Sequence, residues 1–342
     1  MGGEELRIGG LTMAAVTMVQ AINAGLRRAM TNDSTVVVMG EDIGRLGGVF
    51  RVTEGLQERF GEQRVIDSPL AESGLVGTAI GMAMRGYRPV VEIQFDGFIY
   101  PAFDQIVSQL AKFHRRSDGA VTVPVVIRIP YGGGIGAVEH HSESPEAYFA
   151  HTAGLRILSP ADPSAAYRMI QQAVSSPDPV LFFEPKRRYW DRAEVDQDQI
   201  DAQLVAGSPW RARVARHGTD VTVACYGPMV RTCLEAAQLA AQEGMAELEV
   251  IDLQSLAPID FDTIEESVNR TGRLVVVHEA PLTAGLGAEI AATITQRCFY
   301  VLQAPVARVT GFDVPYPASR LEHAYLPSVD RILDAVEDTL EG

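Results

Sequence analysis

Residues 65–109 read VIDSPLAESGLVGTAIGMAMRGYRPVVEIQFDGFIYPAFDQIVSQ, and the rest of the chain reads as support for them. Glu72 opens a helical run with almost no bulk: Ser73, Gly74, Gly77, Thr78, Ala79, Gly81 and Ala83. Glycine costs about 1 kcal/mol against alanine inside a helix, so Gly74, Gly77 and Gly81 need a reason. The usual one is close approach of another backbone or of a flat ligand. An apolar strand from Pro89 to Phe95 follows, then an aromatic cluster of Phe95, Phe98, Tyr100 and Phe103. A carboxylate among apolar and aromatic groups is desolvated, which raises its pKa and suits it to hold or pass a proton near neutral pH. The same residues also suit a partly exposed Glu favoured by the helix dipole, with glycines serving ordinary helix packing.

On the N-terminal side, residues 1–16 read as an arm. Thr17 then caps a helix carrying Val19, Ile22, Leu26 and Met30 at helical spacing, ending near Asn32-Asp33. Thr35 to Met39 is a continuous apolar run, the pattern of a buried parallel strand. It delivers Gly40-Glu41-Asp42-Ile43-Gly44. Open α/β sheets bind ligands at strand C-terminal ends, which makes Glu41 a candidate site residue. An acidic pair solvated at a loop fits the same residues.

On the C-terminal side, Ala102 to His114 has the pattern of an amphipathic helix, and Val121 to Ile129 that of a strand. The loop Pro130-Tyr131-Gly132-Gly133-Gly134-Ile135-Gly136 lacks the GxGxxG spacing and the Lys-Ser/Thr ending of phosphate loops. It leads to Glu139-His140-His141-Ser142-Glu143-Ser144-Pro145-Glu146. Adjacent histidines seldom aim at one ion, and neither has a ligand partner at metal-binding spacing. One of them can steady a substrate carboxylate or a carbanion, and plain loop hydrogen bonding is the alternative. Leu155–Ser159, Pro163–Val174 and Val180–Glu184 then read as strand, helix and strand, giving a doubly wound, mostly parallel sheet over residues 17–186.

Residues 187–210 change character, with Arg187, Arg188 and Arg192, a string of acids, and Gly207-Ser208-Pro209, and read as a linker. Beyond it, strands at Asp220–Tyr226, Leu248–Leu253, Leu274–His278 and Val306–Thr310 alternate with helices, a smaller α/β domain over 211–342. The net charge of −15 argues against nucleic acid as a partner. Three cysteines at wide spacing point to a reducing compartment. No run approaches about 18 apolar residues and no signal-peptide pattern opens the chain, so the expected compartment is the cytoplasm, away from the membrane.

Glu72, Gly77 and Gly81 resemble the E-x4-G-Φ-x-x-G-Q signature of thiamine-diphosphate enzymes, with Thr78 at the Φ site and Met82 in place of the final Gln. More closely, the chain resembles the beta subunit of 2-oxoacid dehydrogenases. GEDIG…GGVFR, EIQF…PAFDQI, EHHSESPEAYFAH, FFEPK and GFDVPYP carry that likeness in order through residues 36–51, 64–109, 137–160, 180–186 and 310–317. The branched-chain type matches best. The resemblance implies a transketolase pyrimidine-binding-like domain followed by a transketolase C-terminal-like one. It implies that Glu72 contacts the pyrimidine ring nitrogen of thiamine diphosphate, that Phe98 packs against that ring, and that Leu70 and Gln94 line the pocket. It makes His141 the active-site histidine and leaves His140 and His151 structural. It gives His278-Glu279 a subunit-contact role.

No GDG segment occurs in the sequence to hold Mg²⁺ and the diphosphate. The resemblance therefore implies half an active site, completed by an alpha subunit that holds Mg²⁺, in an α2β2 heterotetramer. It further implies a structural K⁺ in some relatives, oxidative decarboxylation of a branched-chain 2-oxo acid, and acyl transfer to lipoyllysine. The acidic C-terminal domain would dock the lipoyl-bearing acyltransferase core. A pyruvate or acetoin dehydrogenase beta subunit, or a non-catalytic interaction subunit, are the alternatives.

Overall fold

Strands buried on both faces, alternating with helices that have one apolar face, wind the first half of the chain around a seven-stranded sheet. The computed structural model describes residues 15–204 and 210–342, so most of the expected arm and residues 205–209 of the expected linker lie outside the described residues. In spatial order the strands are Ser255–Ala257, Arg156–Leu158, Val180–Pro185, Val126–Tyr131, Arg88–Glu92, Val36–Gly40 and Val65–Asp67. Every neighbouring pair is parallel except the first. Val36–Gly40, Val126–Tyr131 and Val180–Pro185 are buried along their whole length, which is why they are apolar apart from Arg128 and Glu184.

Helices cover both faces. Thr17 and Gln20 form a reciprocal capping box at the start of Met18–Asn32, whose buried face holds Met18, Val19, Ile22, Leu26 and Met30. That helix packs on Pro163–Ser175 so closely that a Cβ on Gly25 would lie 2.4 Å from Ile170 Cγ2. Glu72–Met84 covers the opposite face through Leu75, Val76, Ala79, Ile80 and Ala83. The doubly wound fold expected from the sequence is present.

A second sheet of five strands runs Ala307–Gly311, Leu274–Pro281, Val221–Cys225, Leu248–Asp252 and Arg213–Arg216, with only the last antiparallel. Helices Met229–Gln242, Phe261–Thr271, Leu286–Arg297 and Val329–Glu341 flank it. The two units share one core. An apolar cluster runs from Ile127 and Tyr131 to Tyr226, Leu253 and Ile290, and Ser255–Ala257 leaves the second unit to extend the first sheet's edge.

Three segments differ from expectation. The amphipathic helix at Ala102–His114 is broken into a 3₁₀ turn (Asp96–Ala102), a π turn (Gln105–Gln109), another 3₁₀ turn (Leu110–Lys112) and a short α-helix (Phe113–Arg116). The wider π turn lets Ile106, Leu110 and Ala111 all reach the core. The strand expected from Val121 begins only at Val126, because Pro124 has no N–H for a ladder. The expected linker contains Arg192–Glu194, paired antiparallel with Ala15–Thr17, and the helix Gln197–Gln203. Tyr189 and Val195 anchor this stretch in the first core.

Candidate functional site

The C-terminal ends of the parallel strands deliver charge and aromatic rings to one edge of the first sheet. Strand Val36–Gly40 ends at a glycine whose Cβ would lie 2.9 Å from the Glu92 carbonyl, and Glu41 follows. Ser68 N donates to the Gly40 carbonyl at 2.9 Å, which draws the loop carrying Leu70 across the same edge and into the helix that Glu72 begins. Glu41 and Glu72 are electrostatic neighbours. The Glu41 carboxyl is pushed up by burial, then by Asp42, then by Glu72.

The 3₁₀ turn Asp96–Ala102 packs against both the Glu72–Met84 helix and the Glu139–His141 turn, so it joins the acidic and histidine parts of the site. His141 stacks on Phe95 with ring centroids 3.9 Å apart and meets Phe98 edge-on at 5.2 Å. Phe50 closes on Phe95 at 5.4 Å. Gly97 permits this contact, since a Cβ there would stand 2.4 Å from the His140 carbonyl oxygen. Gln94 lies between Glu92 and this turn and is half-buried, as are Glu41, Glu72, Phe98 and His141. Leu70 is 66% exposed. Thus Glu41 pairs with Glu72, and Phe98 with His141, while Leu70 and Gln94 sit on the loops that flank them.

His141 Nδ1 lies 2.8 Å from the His140 carbonyl. A carbonyl only accepts, so Nδ1 carries the hydrogen in the neutral ring and Nε2 is left as the basic atom. His140 is exposed. Among the described residues no group of three or more His, Cys, Asp or Glu is placed to hold a metal ion. No helix among them is long and apolar enough to cross a membrane.

Beneath the site lies a charged layer that sequence reading missed. Arg128, fully buried, donates Nε to Glu184 Oε1 at 2.6 Å and Nη2 to Glu184 Oε2 at 2.8 Å, and pairs with Glu92 through Nη1. Tyr189 OH donates to Glu184 Oε2 at 2.6 Å. Lys186 pairs with buried Asp96 and points its ammonium at the Phe95 ring, 5.9 Å from the centroid. Burial lifts the Asp96 carboxyl to about 6 while Lys186 pulls it down. The signal was there: Glu92, Arg128 and Glu184 stand near the same end of three adjacent apolar strands. One charge on a buried strand needs a partner, and three on neighbouring strands supply one another.

The glycines of the Glu72–Met84 helix answer differently from Gly25 and Gly97. A Cβ on Gly74 would meet nothing nearer than 3.8 Å, on Gly77 nothing nearer than 3.5 Å, and on Gly81 nothing within 4 Å. Nothing among the described residues requires them. Exposed apolar side chains edge the same region, including Leu46, Val49, Leu70 and Val138.

Residues 14–190 match the family profile described as transketolase, pyrimidine binding domain, and residues 211–332 the one described as transketolase, C-terminal domain. The pyruvate dehydrogenase E1 component subunit beta of Leifsonia xyli subsp. xyli is 58% identical over 326 residues, 95% of each chain. The 3-methyl-2-oxobutanoate dehydrogenase subunit beta of Mycobacterium tuberculosis is 54% identical over 326 residues, 95% of this chain and 92% of that one. A solved structure described as a split gene transketolase, inactive beta4 tetramer, superposes with a TM-score of 0.78 at 23% identity. It covers 96% of this chain and 99% of that one, a likeness of fold.

Proposed function

Because the chain belongs to the beta subunits of 2-oxoacid dehydrogenase decarboxylating components, a thiamine-diphosphate-dependent family, we propose that it supplies half of an active site for oxidative decarboxylation of branched-chain 2-oxo acids. The observation that carries this reading is the packing of the Phe98 turn against both the helix that Glu72 begins and the turn that carries His141, on an edge left half-open. Residues 17–186 would form the pyrimidine-binding unit, 211–342 the C-terminal unit, and 187–210 the connection between them.

The residues fit thiamine diphosphate: a half-buried carboxylate begins a helix, and the turn carrying the half-buried Phe98 ring packs against that helix. When bound, that cofactor supplies the nucleophilic carbon and the electron sink that decarboxylation of a 2-oxo acid needs. Glu72 is assigned to the pyrimidine nitrogen and holds or releases the proton there. Glu41, whose carboxyl is pushed up by burial, then by Asp42 and then by Glu72, lies in the electrostatic reach of that position. Phe98, Leu70 and Gln94 line the ring and exclude water from it. His141, with Nδ1 tied to the His140 carbonyl, offers Nε2 to the substrate carboxylate or the transferring acyl group.

The partner is an alpha subunit in an α2β2 heterotetramer, which brings the Mg²⁺ and the diphosphate ligands. Exposed Leu70, Val49 and Val138, together with glycines that this chain leaves uncovered, support an apolar surface meant to be covered. A structural K⁺ belongs to the same reading, as do transfer to the lipoyl group of an acyltransferase core docked on the acidic C-terminal domain and a cytoplasmic setting. Pyruvate is the second reading for the substrate, favoured by 58% identity to the Leifsonia xyli protein against 54% to the Mycobacterium tuberculosis one. One or two methylenes in an acyl pocket discriminate by only about 1–3 kcal/mol.

The test is co-expression with the candidate alpha chain. Reduction of an artificial electron acceptor is then measured with thiamine diphosphate and Mg²⁺, comparing 3-methyl-2-oxobutanoate with pyruvate at equal concentration. Turnover that needs both chains and is faster on the branched acid supports the proposal. Faster turnover on pyruvate moves the substrate to the second reading. A well-assembled complex that neither binds cofactor nor turns over makes the chain an interaction subunit.

A further inference from the structure

Three glycines of the PYGGGIG loop, Gly132, Gly134 and Gly136, have positive φ of +81°, +87° and +69°, alternating with residues that do not. Such alternation curls successive backbone N–H groups around a concavity that binds an anion. Here the anion is the protein's own. Glu322 Oε1 accepts from Gly134 N at 2.8 Å and Oε2 from Gly136 N at 3.0 Å, while Tyr316 OH donates to Oε1 at 2.6 Å. Glu279 Oε2 accepts from Gly133 N at 3.0 Å, and Arg187 neutralises its other oxygen at 2.7 Å. Both carboxylates are buried. A buried charge stripped of such donors costs several kcal/mol, so loop shape and carboxylate depend on one another.

The loop is closed at its base, where Gly132 N donates to the Glu143 carbonyl at 2.9 Å. Its returning leg is held from the first sheet, by Glu143 N donating to Asp96 Oδ2 at 2.9 Å. Its outgoing leg is held from the other side, by Glu322 and Glu279 of the C-terminal unit. His141 lies two residues before the base of this loop, stacked on Phe95. With the outgoing leg released, the base, the Asp96 and Tyr100 contacts of Glu143 and the Phe95 and Phe98 rings would be left to place it.

We propose that Glu322 is a positioning residue for His141: its carboxylate, filling the nest of Gly134 and Gly136, fixes the loop that presents the imidazole. The proposal rests on the assignment of His141 made above. It makes the C-terminal unit part of the catalytic geometry rather than a docking surface alone, and it gives a role to a glycine-rich loop that lacks the phosphate-loop spacing.

The experiment uses the assembled complex carrying Glu322→Ala or Glu322→Gln in the beta chain. Hydrogen exchange of the 133–143 amides reports the loop directly, and kcat and KM for the 2-oxo acid report its consequence. Glu322→Ala is expected to speed exchange at residues 133–136 and to lower kcat by about tenfold or more, with KM changed by less than about threefold. Glu322→Gln keeps one acceptor and falls between. In a His141→Ala background the Glu322 substitution should cost less than about twofold further, because residues acting as a unit are not additive. Unchanged exchange, or an equal fold-loss in both backgrounds, overturns the proposal. Should Glu322→Ala fail to assemble, Glu322→Gln carries the same readouts. Should His141→Ala have no residual turnover, the exchange result decides. A wild-type complex without turnover instead defeats the functional reading, and exchange still decides whether Glu322 holds the loop.

Discussion

Replacing Glu146 by Gln should remove a pH-dependent weakness from the joint between the two units. Glu146 begins the short helix Glu146–Ala150 and is wholly buried. Its Oε1 accepts from Tyr226 OH of the second unit, and its Oε2 has no hydrogen-bond partner. Burial raises the carboxyl from 4.5 to about 7, against the opposing pull of the Tyr226 hydrogen bond, and nearby Glu279 and Asp96 push it further up. The folded state therefore holds a proton that the unfolded chain gives up near 4.5. Stability from this group is complete below about pH 4.5 and is lost as pH rises towards 7. At 1.36 kcal/mol per pH unit the loss is about 3 kcal/mol. For a chain of this size that is about 4 °C in Tm. The assay is denaturant unfolding of wild type and Glu146→Gln at pH 5 and pH 8. Gln leaves an unpartnered N–H₂ and costs about 1–3 kcal/mol at pH 5, a cost that does not vary with pH. The difference between the two proteins should move in favour of the Gln variant by about 3 kcal/mol at pH 8. Parallel pH profiles would refute the reasoning, because they would mean that Glu146 is ionised in the fold.

Three further substitutions test other parts of the structure. Glu72→Gln in the assembled complex should lower turnover by about 100-fold or more with assembly intact, and near-normal turnover removes its assigned role. Arg128→Met strands Glu92 and Glu184 as buried carboxylates and should cost about 3–5 kcal/mol in urea unfolding at pH 7; a cost below about 1 kcal/mol would mean that water or protons replace the guanidinium. Gly81→Ala meets nothing in this chain, so it should raise the free subunit's stability by up to about 1 kcal/mol while weakening assembly with the alpha chain, read by sedimentation. Unchanged assembly would mean that the glycine face is not covered.

What was legible in the sequence follows from what each element must satisfy alone. Val36–Gly40 and Val180–Pro185 are apolar because neither face meets water, and Thr17 with Gln20 satisfies the first N–H groups of its helix locally. Glu72 is the first residue of its helix, where the spacing of small residues places it. What was not legible depends on distant partners. The break in Ala102–His114 reflects the register needed to bury Ile106, Leu110 and Ala111 together. The edge strand Ser255–Ala257 exists only because Arg156–Leu158 is there to pair with it. Glu322 and Tyr316 lie far along the chain from the Gly134 and Gly136 N–H groups they serve, so no local pattern could announce them.

The two glycine-rich stretches separate what this chain completes from what it leaves open. In the loop, every added Cβ at Gly132, Gly133 and Gly134 would collide with a side chain of this protein: Glu279 at 2.8 Å, Tyr316 at 1.8 Å and Arg187 at 2.7 Å. Those glycines are accounted for by contacts already made, Gly132 and Gly133 with the second unit and Gly134 with Arg187. In the Glu72–Met84 helix, Gly74, Gly77 and Gly81 have no such neighbour, and yet an uncovered glycine in a helix is a net loss of stability. A surface that gives up stability to stay flat is shaped for something outside the chain. Glu72 begins that same helix, and at about 100° per residue it stands on the side away from Gly74, Gly77 and Gly81. The helix therefore leaves two separate features open, a flat face and, across the axis from it, a half-buried carboxylate.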